Sequence, residues 1–470
     1  MNYPKLIISF VLPLLILLLP KEWIPLEGLT VVEHRVIAIF IFAALSWILE
    51  PIPIYATSIL IITLELLLIS DKGFIYFIDE AKETDFGQLF PFQGIMATMA
   101  SPIILLFLGG FFLALSASKH GLDKRLANLL LKPFGNTPQN LMLGMMIITA
   151  GFSMFMSNTA TTALMLSLLA PVFQNIDSKD KLKIAFTLSI PIAANLGGIA
   201  TPIGTPPNAI AMKYLVGENA ISFLEWMIFG VPLVIFMVLF SWWLLKTLYR
   251  SNQTYITVNL DKGEKTTIHT YIVYGTFWLT LFLWITDFWH GMNSYTVAMI
   301  PVAVFLATGI ITKEDLQHIS WEVLWLVAGG IAIGDALEIS GLAARIIENI
   351  PFTSMPTLLI VFIFGAITLF MANFMSNTAT TNLIMPLAVA VGSSLTDLAE
   401  LGGLRVMILA VVLNVSLGMC LPISTPPNAL AHATGWIETK DMTKTGLIIG
   451  FVGITTVFVL LFILNKTGFF

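Results

Sequence analysis

Cysteine and charge are what this chain has least of. A single cysteine, Cys420, excludes an intramolecular disulfide and argues against a thiolate metal cluster. Charged residues make up 11% of the 470 positions and hydrophobic ones 57%, whereas soluble proteins average about 25% charged. That balance excludes a soluble globular chain and describes an all-α polytopic membrane protein with the lipid bilayer as partner and no nucleic acid. The net charge of −5 decides little, because membrane charges act by position. The six histidines (34, 120, 269, 290, 318, 432) show no ligand spacing. No Walker motif, His-Glu-x-x-His or Gly-x-Ser-x-Gly occurs, so no enzyme is expected. No small-residue cleavage site follows the apolar stretch 6–20, where Lys21-Glu22-Trp23 stands instead; a retained first span is expected.

What is present is a duplication. Ser157-Asn158-Thr159-Ala160-Thr161-Thr162 returns 219 positions later as Ser376-Asn377-Thr378-Ala379-Thr380-Thr381. Thr205-Pro206-Pro207-Asn208-Ala209 returns 220 positions on, as Thr425-Pro426-Pro427-Asn428-Ala429. Gly109-Gly110 with Gly121-Leu122 matches Gly329-Gly330 with Gly341-Leu342 at the same offset. Three motifs in one order at nearly constant spacing mark an internal repeat.

A crossing needs roughly 20 apolar residues. The hydropathy predicts eleven transmembrane helices, near 4–25, 31–50, 52–70, 101–119, 183–216, 221–248, 268–288, 293–312, 319–339, 403–434 and 443–465. Two apolar segments remain, 139–176 and 356–392, each interrupted near its middle by Ser-Asn-Thr. Arms that short, meeting at polar residues, read as re-entrant hairpins, which survive only under cover of protein or a water-filled cavity. The segments 121–134 and 341–350 place Leu122, Leu126, Leu129 and Leu130, and Leu342, Ile346, Ile347 and Ile350, on single helical faces, and read as interfacial arm helices. The chain thus divides into first-half scaffold and arm (1–135), first transport region (136–250), cytoplasmic linker (251–267), second-half scaffold and arm (268–352) and second transport region (353–470).

Most of the 23 Lys and Arg fall on one side if the N-terminus is cytoplasmic, which predicts N-in and C-out. An odd number of crossings separates the two Gly-Gly spans, so the repeats are expected to be inverted. Asp335, Glu338 and Glu65 read as residues near helix ends reaching water. Trp242-Trp243 and the segment Trp284 to Trp289 read as interfacial belts.

Thr-Pro-Pro is a helix start, with threonine as N-cap and proline where a missing N–H costs nothing. The segments 183–216 and 403–434 are therefore predicted to be broken crossings, each with a new half-helix. Together with the second hairpin arms, that gives four helix N-termini converging near the midplane, each with free N–H donors and about half a positive charge. Such a place suits an anion. No Lys or Arg occurs in 133–178, 184–212, 356–404 or 406–439, so bound cations are the natural supplement to a multiply charged anion. Ser153, Ser157 and Asn158, with the carbonyl of Gly204, offer hard oxygen ligands for an alkali ion. The second half offers Asn377 with the carbonyls of Met375 and Ser424.

The paired Ser-Asn-Thr tips, the two Pro-Pro-Asn breaks and the Ser416…Pro422-Ile423-Ser424…Asn428 stretch resemble the divalent anion/sodium symporter family, which includes sodium-dicarboxylate, -citrate and -sulfate transporters. The resemblance covers essentially the whole chain. It implies a homodimer in the cell inner (plasma) membrane, a rigid scaffold, and a transport domain that moves as an elevator. It also implies that Ser157, Asn158, Thr159, Ser376, Asn377, Thr378 and Thr425 hold substrate carboxylates, one sodium ion beside each tip. Thr205 and Pro426, at the half-helix starts, join the substrate candidates. One departure stands out: Ala372 occupies the position four before the second Ser-Asn-Thr, where the first half and the family place a hydroxyl. The expected activity is sodium-coupled transport of C4-type dicarboxylates (succinate, malate, fumarate). Alternatives are a sodium-independent exchanger or a sulfate carrier of the same fold, or, from another class, an anion channel.

Overall fold

Helix boundaries fall where caps and prolines put them. Thr30 opens Val31–Leu49 and Ser222 opens Phe223–Leu248, each through a reciprocal capping box with Glu33 or Glu225. Proline occupies the first turn of Pro102–Lys119, Pro138–Ser153, Pro206–Tyr214 and Pro426–Ala433. The first helix, Tyr3–Leu18, stops short of residue 25 because Pro20 disfavours helical backbone before it. The computed structural model describes residues 3–78, 85–173, 180–251, 253–256, 267–348 and 355–470. Among them no strand forms; one isolated bridge joins Ser70 and Phe90.

Every expected crossing contains helix. Among the described residues six helices are long and apolar enough to cross a membrane: Val31–Leu49, Phe92–Lys119, Leu182–Ala200, Phe223–Leu248, Ile268–Ile285 and Thr439–Lys466. Shorter apolar helices, among them Tyr3–Leu18, Ile54–Leu68 and Ser294–Ala307, fill other expected spans. Most of the expected linker 251–267 lies outside the described residues.

Both interrupted segments fold as helical hairpins. The first pairs Pro138–Ser153 with Asn158–Phe173, and the second pairs Thr357–Ala372 with Asn377–Ser394. An arm of 16 residues is about 24 Å long at 1.5 Å per residue, short of a hydrocarbon core of about 30 Å. The arm helices Leu122–Leu131 and Leu342–Glu348 each start after a left-handed glycine, Gly121 (φ 64°) and Gly341 (φ 79°), where a β-carbon would be strained. Leu122 is buried, but Leu129 and Leu130 are exposed on the expected apolar face. On the second arm Leu342 is buried; residue 350 and the side chains of Ile347 and Glu348 lie outside the described residues.

The two halves interlock symmetrically. A β-carbon on Gly109 would stand 2.3 Å from the Ala298 carbonyl oxygen, and one on Gly329 would stand 2.4 Å from Ser58 Cβ. Helix Pro102–Lys119 thereby packs on Ser294–Ala307, and Trp321–Ile339 packs on Ile54–Leu68. Each broken crossing sits between the arms of its own hairpin, Leu182–Gly197 in the first half and Leu404–Val415 in the second. The half-helix after each break crosses over. Pro206–Tyr214 packs on the second hairpin and Pro426–Ala433 on the first. This exchange brings both breaks and both tips into one region.

Candidate functional site

At the first tip, Ser153 ends one hairpin arm fully buried, and Asn158 begins the other. Ser153 Oγ lies within hydrogen-bond distance of the Ala194 carbonyl (2.8 Å) and of Asn158 Oδ1. A β-carbon on Gly198 would be 2.9 Å from both terminal atoms of Asn158 and 3.1 Å from the Gly204 carbonyl oxygen. Glycine at 198 lets the tip seat directly on the break, so Ser153, Asn158 and the Gly204 carbonyl do come together. Thr201 Oγ1 fastens the contact by donating to the Met154 carbonyl. Ser157 gives its carbonyl to Thr161 N–H at 2.9 Å, and Ser157 and Thr159 are both half-buried.

The second tip is built alike with different side chains. Ser376 caps the second arm, its Oγ accepting from Ala379 N–H at 3.2 Å. Ser424 Oγ donates to the Asn373 carbonyl at 2.9 Å, the counterpart of the Thr201 contact, and Asn373 Oδ1 accepts from Cys420 N–H at 2.8 Å. Asn377 Oδ1 is buried and has no hydrogen-bond partner among the described residues. An amide oxygen left so is costly unless a ligand takes it. Met375 and Thr378 are buried beside it in the chain. Ala372 packs tightly at the second break: a β-carbon on Gly418 would lie 2.4 Å from its Cβ. Asn373 is therefore bound to the backbone of the break, and the oxygen that Ser153 supplies in the first half has no counterpart at 372.

The breaks are held open by two asparagines to which motif spacing gave no role. Asn208 Nδ2 donates to the carbonyls of Gly198 (2.9 Å) and Thr201 (2.8 Å), and Asn428 Nδ2 to those of Met419 (2.8 Å) and Leu421 (3.0 Å). Carbonyls freed by breaking a helix need donors when buried, and the fourth residue of Thr-Pro-Pro-Asn supplies them. The two threonines differ. Thr425 Oγ1 accepts from Asn428 N–H at 3.3 Å, whereas the side chain of Thr205 makes no capping bond, contrary to its reading as a side-chain cap. Pro426 fills the first helical position after Thr425. Asn195, on the first broken crossing, donates to Thr425 Oγ1 at 3.1 Å and to Asn428 Oδ1 at 3.2 Å.

The reading of Glu65 as a water-reaching residue is corrected, whereas Asp335 is partly exposed as expected and has a partner besides water. Asp335 is ion-paired at 2.6 Å with Lys213, at the end of the half-helix Pro206–Tyr214. Lys213 Nζ also donates to the Ile331 carbonyl at 2.9 Å. Glu65 is buried, with Oε1 lacking a hydrogen-bond partner among the described residues, and Lys213 and Asp335 are the charges that act on it. Glu338 is exposed, as expected. No group of three or more His, Cys, Asp or Glu able to hold a metal forms among the described residues. What the centre offers is neutral oxygen ligands, hydroxyl donors and helix N-termini, a set that binds anions and alkali ions.

The sequence profile of the citrate transporter family matches residues 40–402. The sodium-dependent dicarboxylate transporter SdcS of Staphylococcus saprophyticus is 31% identical over 91% of this chain and 85% of its own length. An uncharacterized transporter of Schizosaccharomyces pombe is 29% identical over 88% of this chain, which spans about half (48%) of that relative's length. In three dimensions the chain is similar to the crystal structure of the YdaH transporter of Alcanivorax borkumensis (TM-score 0.55, 15% identity, 80% of this chain and 89% of that one), a likeness of fold.

Proposed function

The chain belongs to the citrate transporter family, and from that membership we propose that it is a sodium-coupled symporter of C4-type dicarboxylates. That it is a membrane transporter follows from the family and its relatives; the substrate and the coupling ion are our reading. The observation that carries it is the meeting of Ser153, Asn158 and the Gly204 carbonyl at the first tip. These are oxygen ligands without a net charge, suited to an alkali ion, in a region whose motif segments contain no basic side chain.

In this reading the ion binds first. Its charge offsets the cost of bringing a dicarboxylate into a poorly hydrated site. The carboxylates then take donors from the two Ser-Asn-Thr tips, from Thr205 and Thr425, and from the N–H groups in the first turns of the helices that begin at Asn158 and Asn377. Coupling follows because bound sodium offsets part of the dianion's charge, which a site holding the anion alone leaves uncompensated. The protein works as a homodimer in the plasma membrane, N-terminus inside and C-terminus outside, and each transport region moves as a body against the scaffold. SdcS, named for sodium-dependent dicarboxylate transport, supports the choice of ion and substrate.

One observation favours a second reading, a dicarboxylate exchanger with weak or no sodium dependence: Ala372 leaves the second tip one hydroxyl short of the first. Uptake into proteoliposomes decides between them. Labelled succinate, citrate, sulfate and inorganic phosphate are offered with and without an inward sodium gradient, and with or without internal succinate. Sodium-driven accumulation of succinate is expected. Uptake indifferent to sodium yet stimulated by internal dicarboxylate selects the exchanger, and non-saturable flux without counterflow selects a channel.

A further inference from the structure

The geometry points to Asn195 as a positioning residue for substrate: it fixes the Thr425 hydroxyl as a hydrogen-bond donor to the bound carboxylate. This rests on the dicarboxylate reading above and adds to it a residue outside the repeated motifs. The argument is a chain of donors and acceptors with one consistent direction.

It starts at the second break. The carbonyls of Met419 and Leu421 can only accept, so the Asn428 amide must turn its Nδ2 toward them, at 2.8 and 3.0 Å. Its Oδ1 then faces the opposite way, toward Asn195 at 3.2 Å, and Asn195 must meet an acceptor with its own Nδ2. That same Nδ2 reaches Thr425 Oγ1 at 3.1 Å. Asn428 N–H reaches the same oxygen at 3.3 Å. A hydroxyl oxygen has two lone pairs and one hydrogen. Both lone pairs are engaged, so the hydrogen is what remains, and among the described residues no acceptor receives it. Thr425 is 5% exposed and sits at the N-cap of Pro426–Ala433, where an anion is expected. A buried hydroxyl held in this manner donates and does not accept, which selects an anion over a cation at that position.

The first break lacks the device. Val415 stands 220 positions after Asn195, and Asn414, 219 positions after it, donates its Nδ2 to the Ala410 carbonyl of its own helix at 2.7 Å. Asn208 Oδ1, the counterpart of the oxygen that Asn195 satisfies, has no hydrogen-bond partner among the described residues. Thr205 correspondingly makes no capping bond. The pseudo-symmetric site is therefore polarised, with a pre-aimed donor at Thr425 and none at Thr205.

The test is uptake of labelled succinate by purified, reconstituted carrier, with its dependence on succinate and on sodium measured separately. Asn195→Val is expected to raise the KM for succinate about tenfold, the worth of one hydrogen bond to a charged group, with kcat and the half-saturating sodium concentration little changed. Asn195→Ser, which is too short to reach Thr425, shows the same if the valine variant does not fold. Asn195→Asp is expected to abolish uptake, because a carboxylate would draw the Thr425 hydrogen to itself and repel the substrate. The double variant Asn195→Val with Thr425→Ala is expected to be no worse than Thr425→Ala alone, since both act through one hydroxyl. A wild-type KM in Asn195→Val and Asn195→Ser, or effects that add in the double variant, overturns the assignment while leaving the transport reading intact. A wild-type KM in Thr425→Ala overturns the substrate role of Thr425 itself, and the assignment with it.

Discussion

Lys213 Nζ lies 2.6 Å from Asp335 Oδ1, and this contact ties the half-helix after the first break to the crossing Trp321–Ile339. Lys213 is largely buried and Asp335 is 35% exposed in its side chain, so solvent screens the pair from one end only. Removing Asp335 leaves the ammonium with the Ile331 carbonyl; removing Lys213 leaves the Asp335 carboxylate without its partner. Asp335→Asn is expected to cost about 2 kcal/mol, less than a fully buried pair for the reason of exposure, and Lys213→Met more. The double variant Lys213→Met with Asp335→Leu should melt above Lys213→Met alone. Thermal unfolding of the purified protein checks the order, and equal melting of all forms with the wild type would remove the tie. If the half-helix moves against this crossing during transport, disulfide trapping of the pair Lys213→Cys and Asp335→Cys in a Cys420→Ala background should arrest uptake reversibly.

The inverted repeat predicts that the hairpins open to opposite sides. In the same cysteine-free background, a cysteine at position 178 should label with a membrane-impermeant maleimide only from the cytoplasm, and Ser394→Cys only from outside. Residue 178 lies outside the described residues; Ser394 ends the second hairpin's second arm. Labelling of both from one side would be incompatible with inversion.

The tips carry the next expectation. Asn158→Ala removes the oxygen that meets Ser153 and lies beside Gly198, and Asn377→Ala removes an oxygen without a hydrogen-bond partner among the described residues. Neither is core volume, so both proteins should fold with melting temperatures close to wild type while uptake falls below detection. Near-normal uptake by either would return Ser-Asn-Thr to a packing role.

A surface contact should set part of the acid tolerance. Burial by itself pushes the Asp315 carboxyl up, but hydrogen bonds from Lys119 and Thr312 outweigh it and hold its pKa at about 2, below the ordinary 3.8. A carboxyl depressed on folding contributes stability above its unfolded pKa and loses it as pH falls through the folded value. The link from Lys119 to Asp315 should therefore weaken between about pH 4 and pH 2. Asp315→Asn should flatten the fall of melting temperature across that window, and an unchanged acid profile would show the contact to be without consequence.

How far the sequence carries the structure depends on the range of the interaction. Hairpins, breaks and arm helices are readable because Ser-Asn-Thr, Thr-Pro-Pro and the apolar spacing that follows Gly121 and Gly341 act within a few residues of themselves. The Asn428 clamp was half visible: its motif was plain, but the carbonyls it holds become free only once the break exists. The contacts of Asn195 with Asn428 and of Lys213 with Ile331 span 233 and 118 positions. No periodicity encodes such pairs, and a lone Asn or Lys in an apolar run reads as packing or snorkelling until the folded chain supplies the partner. The same limit hid Glu65, whose place near a helix end suggested solvent and whose neighbours put it in the interior.

The proposed sodium coupling would draw on the two halves unequally. Ser153 presents its hydroxyl to Asn158 and the Ala194 carbonyl, so the first tip already holds its oxygens near one another before an ion arrives. The second has Asn377 Oδ1 without a partner among the described residues, but Ala372 gives no oxygen, and Asn373 already accepts from Cys420 N–H at its Oδ1 and from Ser424 at its carbonyl. Sodium dependence should thus rest mainly on the first tip. Ser153→Ala is expected to raise the half-saturating sodium concentration about tenfold, since it deletes a ligand and releases Asn158 from its neighbour. Ala372→Ser, which adds a single oxygen beside Gly418, should lower that concentration or steepen the dependence by restoring a hydroxyl where the first tip has Ser153. The measurement is initial succinate uptake against sodium for the three proteins at fixed substrate. A wild type indifferent to sodium and stimulated by internal dicarboxylate would defeat the coupling and leave Ala372 as the mark of an exchanger; a Ser153→Ala curve superimposable on wild type would move the ion away from the first tip.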